Sequence, residues 1–219
     1  MGDKLNAHAI IIGPEGFLAV NACMLFSIVW ALWKAEKNLE SGNDWVMLVM
    51  LVLFAASGRV LLDPIPNIQP VTVVVLLVGI HYGIPRAVLV ATSVTLLSNF
   101  VLGHGLWSLY QALGWSLVGA VGAFSANAIR SGSQLNLNRL AAVSAISALS
   151  FDFVVSLSAL HSIGSENFLP YLIAGVPFDL LHLVGNLVFV AWLASPLSEV
   201  ITRHVISPNQ VVVREVASN

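Results

Sequence analysis

Seven apolar stretches, at about 17–34, 45–62, 71–84, 86–103, 107–129, 139–161 and 170–198, restrict this chain to a helical bundle in lipid. A bilayer core needs roughly 20 apolar residues per helix, and most of the stretches meet that; 71–84 is short. Strands are excluded because the runs are too long and lack the alternation of membrane barrels. Charge agrees, since only 9% of the 219 residues are charged and 58% are hydrophobic, and a soluble domain of this size needs charge to cover its surface. The expected fold class is all-α, a polytopic transmembrane helical bundle. It forms one domain over 1–219, with 17–34 as an additional N-terminal span, 45–200 as the main bundle and 201–219 as a tail. The start, MGDKLNAHAIIIGPEG, lacks the basic region, apolar run and small-residue site of a cleavable signal.

Between the second and third stretches, 63–70 carries three prolines, Pro64, Pro66 and Pro70, so this connection is not regular helix. The stretch 71–84 then reads as a short span, closed by a tight turn at Ile84-Pro85-Arg86. Basic residues set the expected orientation. Lys34, Lys37, Arg86, Arg130, Arg139, Arg203 and Arg214 fall on one side, against Lys4 and Arg59 on the other. The chain is therefore expected in the cell membrane, multi-pass, with its N-terminus outside and its C-terminus cytoplasmic.

Nine Lys+Arg against eleven Asp+Glu give no basic run for nucleic acid. The lone cysteine, Cys23, allows no disulfide within the chain and lacks partners for zinc; it reads as a packing residue. No metal and no cofactor is expected. HExxH, phosphate-loop and nucleophile-elbow motifs are all absent, so the chain does not read as an enzyme. ATP-driven transport by such a chain needs the ATP hydrolysed by another subunit.

Polar residues inside spans are costly and each asks for a reason. Arg59 ends the second span, where snorkelling to headgroups competes with a ligand contact or a salt bridge to Asp63. Trp107, Gln111 and Trp115 recur at i, i+4, i+8 on one helix face, a wall for a flat polar ligand or an aromatic belt. Ala112, Ser116 and Ala120, with Gly119 and Ala123, make small-residue columns that let helices approach closely. Asp152 follows Ser144 and Ala148 in the sixth span and must be paired, protonated or wet. Asp179, His182 and Asn186 share one face of the last span, as a proton relay, a ligand site or an interhelix clamp. His104 and His161 lie in loops, without metal-ligand spacing.

Arg59-Val-Leu-Leu-Asp-Pro-Ile-Pro-Asn-Ile-Gln-Pro-Val-Thr, then Ser98-Asn99-Phe100, then Gly103-His-Gly-Leu-Trp107 with Gln111 and Trp115, resembles the substrate-binding S components of energy-coupling factor (ECF) vitamin transporters. Phe178-Asp179-Leu-Leu-His182-Leu-Val-Gly-Asn186 is similar to their last helix, and the resemblance covers about 60–200. It implies a bundle of six family-type helices, here behind an extra N-terminal span. It further implies a small-molecule substrate, a vitamin or related micronutrient such as cobalamin or a precursor, taken from outside. The partners it implies are a transmembrane coupling subunit and ATPase subunits. The residues it points to for substrate are Arg59, Asn67, Gln69, Asn99, His104, Trp107, Gln111 and Trp115. Asp152, Asp179, His182 and Asn186 fall to structure or coupling. The family docks its partner through a small-xxx-small motif on an early helix, and here Ala55, Ala56, Ser57 and Gly58 are small without that spacing. Two other classes compete: a stand-alone proton-coupled secondary transporter, and an intramembrane enzyme built on Asp152, Asp179 and His182.

Overall fold

The fold comes from a computed structural model that describes residues 15–16, 18–20, 22–24, 26, 30, 43–131 and 134–205. The described residues between 15 and 30 are helical. Val20 and Met24 there pack with Ala112, Leu96 and Leu109. The rest of the expected 17–34 span, and the tail beyond 205, lie outside the described residues.

From Asn43 onward the chain is a succession of helices. These are α1 (Asn43–Leu61), α2 (Val71–Tyr82), α3 (Ile84–Leu102), α4 (Leu106–Ile129), α5 (Leu137–Ser156), the short α6 (Leu160–Ile163), α7 (Phe168–Phe189) and α8 (Ser195–Val205). Two-residue strands Arg130–Ser131 and Gln134–Leu135 pair antiparallel between α4 and α5. Five stretches are long and apolar enough to cross a membrane: Asp44–Leu61, Ile84–Leu102, Leu106–Ile129, Leu137–Ile163 and Ser165–Arg203. The protein is a helical membrane protein. Large apolar side chains such as Ile173, Leu180, Val184 and Trp192 stand exposed on the last of these stretches, as a lipid-facing surface requires.

From Asn43 onward the expected spans recur with small shifts that follow from glycine and proline. The α2–α3 turn falls on Gly83, whose φ of 80° and ψ of 179° suit only glycine, with Pro85 in the first turn of α3. The last span continues past the expected 198 to Val205 through a π-helical segment, Val190–Ala194. Pro196 explains the widening: its ring clashes with the carbonyl four residues back, at Trp192, and a π turn relieves that clash.

α2 is the centre of the bundle. Its twelve residues are apolar on every side, and Val71 through Ile80 are all buried, as an all-round apolar helix demands. At 1.5 Å per residue it is about 18 Å long, well short of a bilayer core, and its neighbours shield it. The tightest neighbour is α4. A Cβ on Gly79 would stand 2.0 Å from the Gly119 carbonyl oxygen, and one on Gly122 would stand 2.5 Å from that of Leu76. The Gly119–Ala123 column thus seats α2 within the chain. Two ends of the bundle follow from the antiparallel order. The 62–70 connection, the 103–105 turn and the 157–167 connection lie at one end, called here the proline end. Gly83, the hairpin and α8 lie at the other.

Backbone-to-backbone contact cannot yield to a larger side chain. Gly79→Val is expected to lower stability by about 1–3 kcal/mol, whereas Gly175→Ala, whose Cβ meets only Asp179 Oδ1 at 4.0 Å, stays near wild type. Thermal melting of both variants in detergent checks this.

Candidate functional site

Around the proline end, the polar side chains singled out in the sequence converge on Arg59. Gly58 allows this locally, because a Cβ there would stand 2.6 Å from the Pro70 ring. Its absence lets the proline-rich connection fold down beside Arg59 and deliver Gln69. The connection itself is compact, held by Ile65 N–H to Leu62 at 2.9 Å and Ile68 N–H to Ile65 at 3.3 Å. Asn67, at a left-handed φ of 58° that asparagine tolerates, donates to the Phe178 carbonyl at 3.2 Å. Ile68 meets Gly185 on the same helix, α7.

Arg59 is buried, at 6% exposure. Its Nε donates to Gln69 Oε1 at 3.1 Å. Its Nη1 donates to Ser98 Oγ and Asn99 Oδ1, both at 2.5 Å. The Asn99 amide nitrogen donates onward to Ser108 Oγ at 2.7 Å and Gln111 Oε1 at 2.8 Å. The guanidinium carbon lies 5.2 Å from the Trp115 ring centroid, a cation–π distance. Two of the readings weighed for Arg59, snorkelling to headgroups and a salt bridge to Asp63, are therefore corrected. It does not snorkel, and among the described residues no carboxylate oxygen comes within 4.0 Å of it, Asp63 included. A buried polar network on α3 and α4 supplies what headgroups or Asp63 would have supplied.

Trp115 joins this group to a second one. Its Nε1 donates to Thr72 Oγ1 at 3.3 Å, and Thr72 Oγ1 stands 3.1 Å from His182 Nε2. His182 Nδ1 faces both Asp152 oxygens, at 2.9 and 3.0 Å. Phe151 closes the ring, stacked on Trp115 at 4.5 Å and edge-on to His182 at 5.5 Å. Donor logic orders the chain. Indole N–H only donates, so Thr72 accepts from it; with an ionised Asp152, His182 donates from Nδ1 and accepts the Thr72 hydroxyl at Nε2.

The interhelix clamp on His182 is thus made by Asp152 from α5. Asp179, one turn away on α7 itself, is half-buried and makes no hydrogen bond among the described residues. Asn186 is fully buried, and neither side-chain polar atom has a hydrogen-bond partner among the described residues. The expected aromatic wall is divided. Gln111 and Trp115 enter the network, while the Trp107 ring packs back on Gly105, where a Cβ would come within 2.1 Å of it. Trp115 is no open wall either, since it already carries Arg59 and Phe151; it acts as a shelf for the guanidinium. His104, half-buried in the turn after α3, has its pKa held below the usual histidine value by burial. Ser98, Ser108, Thr72 and Phe151 were not picked out as site residues. The available signal was Thr72, a hydroxyl at the start of a helix whose next six residues are all Val or Leu. Among the described residues no group of three or more His, Cys, Asp or Glu is placed to hold a metal. At the other end a cleft of about 540 Å³ opens between Gln134, Leu137, Ser198 and Thr202.

The fold and site together define a helical membrane protein with a charged, hydrogen-bonded centre near one end of its bundle. The chain matches the family of unknown function DUF6580 over residues 39–207 and belongs to that family. No curated protein and no solved structure matches it.

Thr72→Val keeps the shape and removes the hydroxyl between Trp115 and His182, leaving two buried nitrogens unpaired. The expected loss is roughly 1–2 kcal/mol, read as a lower melting temperature, while Thr92→Val, whose hydroxyl bonds only its own helix at Val88, costs less.

Proposed function

We propose that this chain is the substrate-capturing membrane subunit of an ECF-type importer, taking up a vitamin or related micronutrient such as cobalamin or a precursor. The observation that carries the reading is Arg59, a buried cation held by neutral groups from the 63–70 connection, α3 and α4. Burying a charge costs on the order of several kcal/mol, and such groups in membrane spans mark functional sites, substrate sites among them. The positive-inside bias supports an orientation with this end of the bundle outside the cell and the C-terminus cytoplasmic. A capture site open to the outside needs its polar groups there. Arg59, Asn99, Gln111 and Trp115 form the substrate site, and Gln69 covers Arg59 from the connection. Asp152 and His182 brace it through Thr72. Asn67 fastens the connection that covers it, and His104 and Trp107 lie at its rim. The absence of a nucleotide motif calls for a transmembrane coupling subunit and ATPases.

A second reading is favoured by one observation. Thr72, His182 and Asp152 run hydroxyl, imidazole, carboxylate, an order used by acyl-transfer enzymes. Against it, Thr72 is buried and its oxygen already accepts from Trp115.

Concentrative uptake is expected only when coupling and ATPase subunits are coexpressed; uptake by the chain alone, collapsed by a protonophore, would make it a secondary transporter. Mass spectrometry identifies the small molecule that co-purifies. Wild type releases it unaltered, whereas a product formed by wild type and missing with Thr72→Val would favour the enzyme. With that ligand, Trp115→Ala should weaken binding about 5- to 150-fold, as loss of an aromatic partner does, and Asp179→Asn should leave affinity near wild type. A C-terminal reporter active only outside the cytoplasm should stay silent.

A further inference from the structure

Arg59 is hydrogen-bonded on one side and half-filled on the other. A guanidinium carries five N–H donors. Nη1 spends both of its own, on Ser98 and Asn99. The remaining edge is made by Nε and Nη2, which lie side by side in the guanidinium plane. That edge matches the paired oxygens of a carboxylate or phosphate. Here only Nε is engaged, by the single neutral oxygen of Gln69, and Nη2 has no hydrogen-bond partner among the described residues. The guanidinium is held in place, because its carbon lies over the Trp115 ring and the two Nη1 bonds pin the far side.

We propose that Gln69 holds the place of an anionic group of the substrate: the site takes a molecule bearing a carboxylate or phosphate, which binds the Nε–Nη2 edge of Arg59 in two parallel hydrogen bonds. This rests on the reading of the chain as a capture protein. Charge-assisted bonds are roughly twice as strong as neutral ones, so an oxyanion displaces the Gln69 amide. Displacement also brings an anionic oxygen into direct contact with Arg59, where among the described residues no carboxylate oxygen lies within 4.0 Å. Gln69 lies in the connection between α1 and α2, so its exchange for an anion needs no helix to move.

The test uses the purified full chain in a neutral detergent, with benzoate, phenyl phosphate and the neutral isostere benzamide as probes at constant ionic strength. Melting temperature is the readout. Benzoate or phenyl phosphate is expected to raise it, and benzamide is not. Gln69→Glu supplies its own carboxylate to Arg59. It should melt above wild type without probe and lose the response to both anions. Gln69→Ala removes the placeholder and should keep the response; Arg59→Gln should lose it. Equal stabilisation by benzamide, or a response that survives in Gln69→Glu, overturns the proposal. Loss of the response in Gln69→Ala also overturns it, because Gln69 would then be a ligand group itself. A phosphate can also come from a lipid headgroup. Stabilisation by added phosphatidylglycerol alone, with no effect of the soluble anions, would assign the edge to lipid and overturn a substrate role. Coupled uptake of a neutral molecule, unchanged in Gln69→Glu, would leave the capture reading standing and remove the anion from it.

Discussion

A guanidinium does not give up its proton at any ordinary pH, and hydrocarbon offers it no water. Arg59 therefore has to be solvated by the protein, and the proline end of the bundle is arranged around that demand. The connection from α1 brings Gln69, the last turns of α3 bring Ser98 and Asn99, and the first turns of α4 bring Ser108 and Gln111. Asn99 shows how closely the parts depend on each other. Arg59 is purely a donor, so the Asn99 oxygen must face it, which turns the amide nitrogen toward α4. Gly58 and Pro70 make room for the arrangement at the next residue along.

From this centre the polar groups run to Asp152 without a break, and they pass around the beginning of α2. That helix has no lipid-facing side and little polarity except Thr72 near its start and His81 near its end. Each is matched across the bundle: Thr72 by Trp115 and His182, His81 by Ser198 at 2.8 Å. The close backbone packing of Gly79 and Gly122 sets the height of α2 against α4. It thereby decides that the Thr72 hydroxyl meets the indole.

Capture and catalysis compete for the same residues, because the groups that suggest each are linked through Trp115 and Thr72. Enclosure weighs against catalysis. A nucleophilic hydroxyl must reach its substrate, while Thr72 is shut between an indole and an imidazole. Arg59 instead bonds Gln69 of a connection whose Pro64, Ile65 and Pro66 are exposed.

The bundle was legible from the sequence, because lipid imposes long apolar runs and glycine and proline mark their ends. The intramembrane polar residues were legible too, since each is conspicuous among apolar neighbours. Periodicity reports which residues share a helix face, and so it grouped Asp179 with His182 and Trp107 with Trp115. It does not report how far one helix is rotated or raised against the next. Only the tertiary structure decided that His182 turns to Asp152, that Trp107 folds back on Gly105, and that Trp115 supports Arg59. Those outcomes depend on the close approach of small residues between helices and on the need of each buried donor for an acceptor. Both are properties of pairs of helices, which no single stretch of sequence contains.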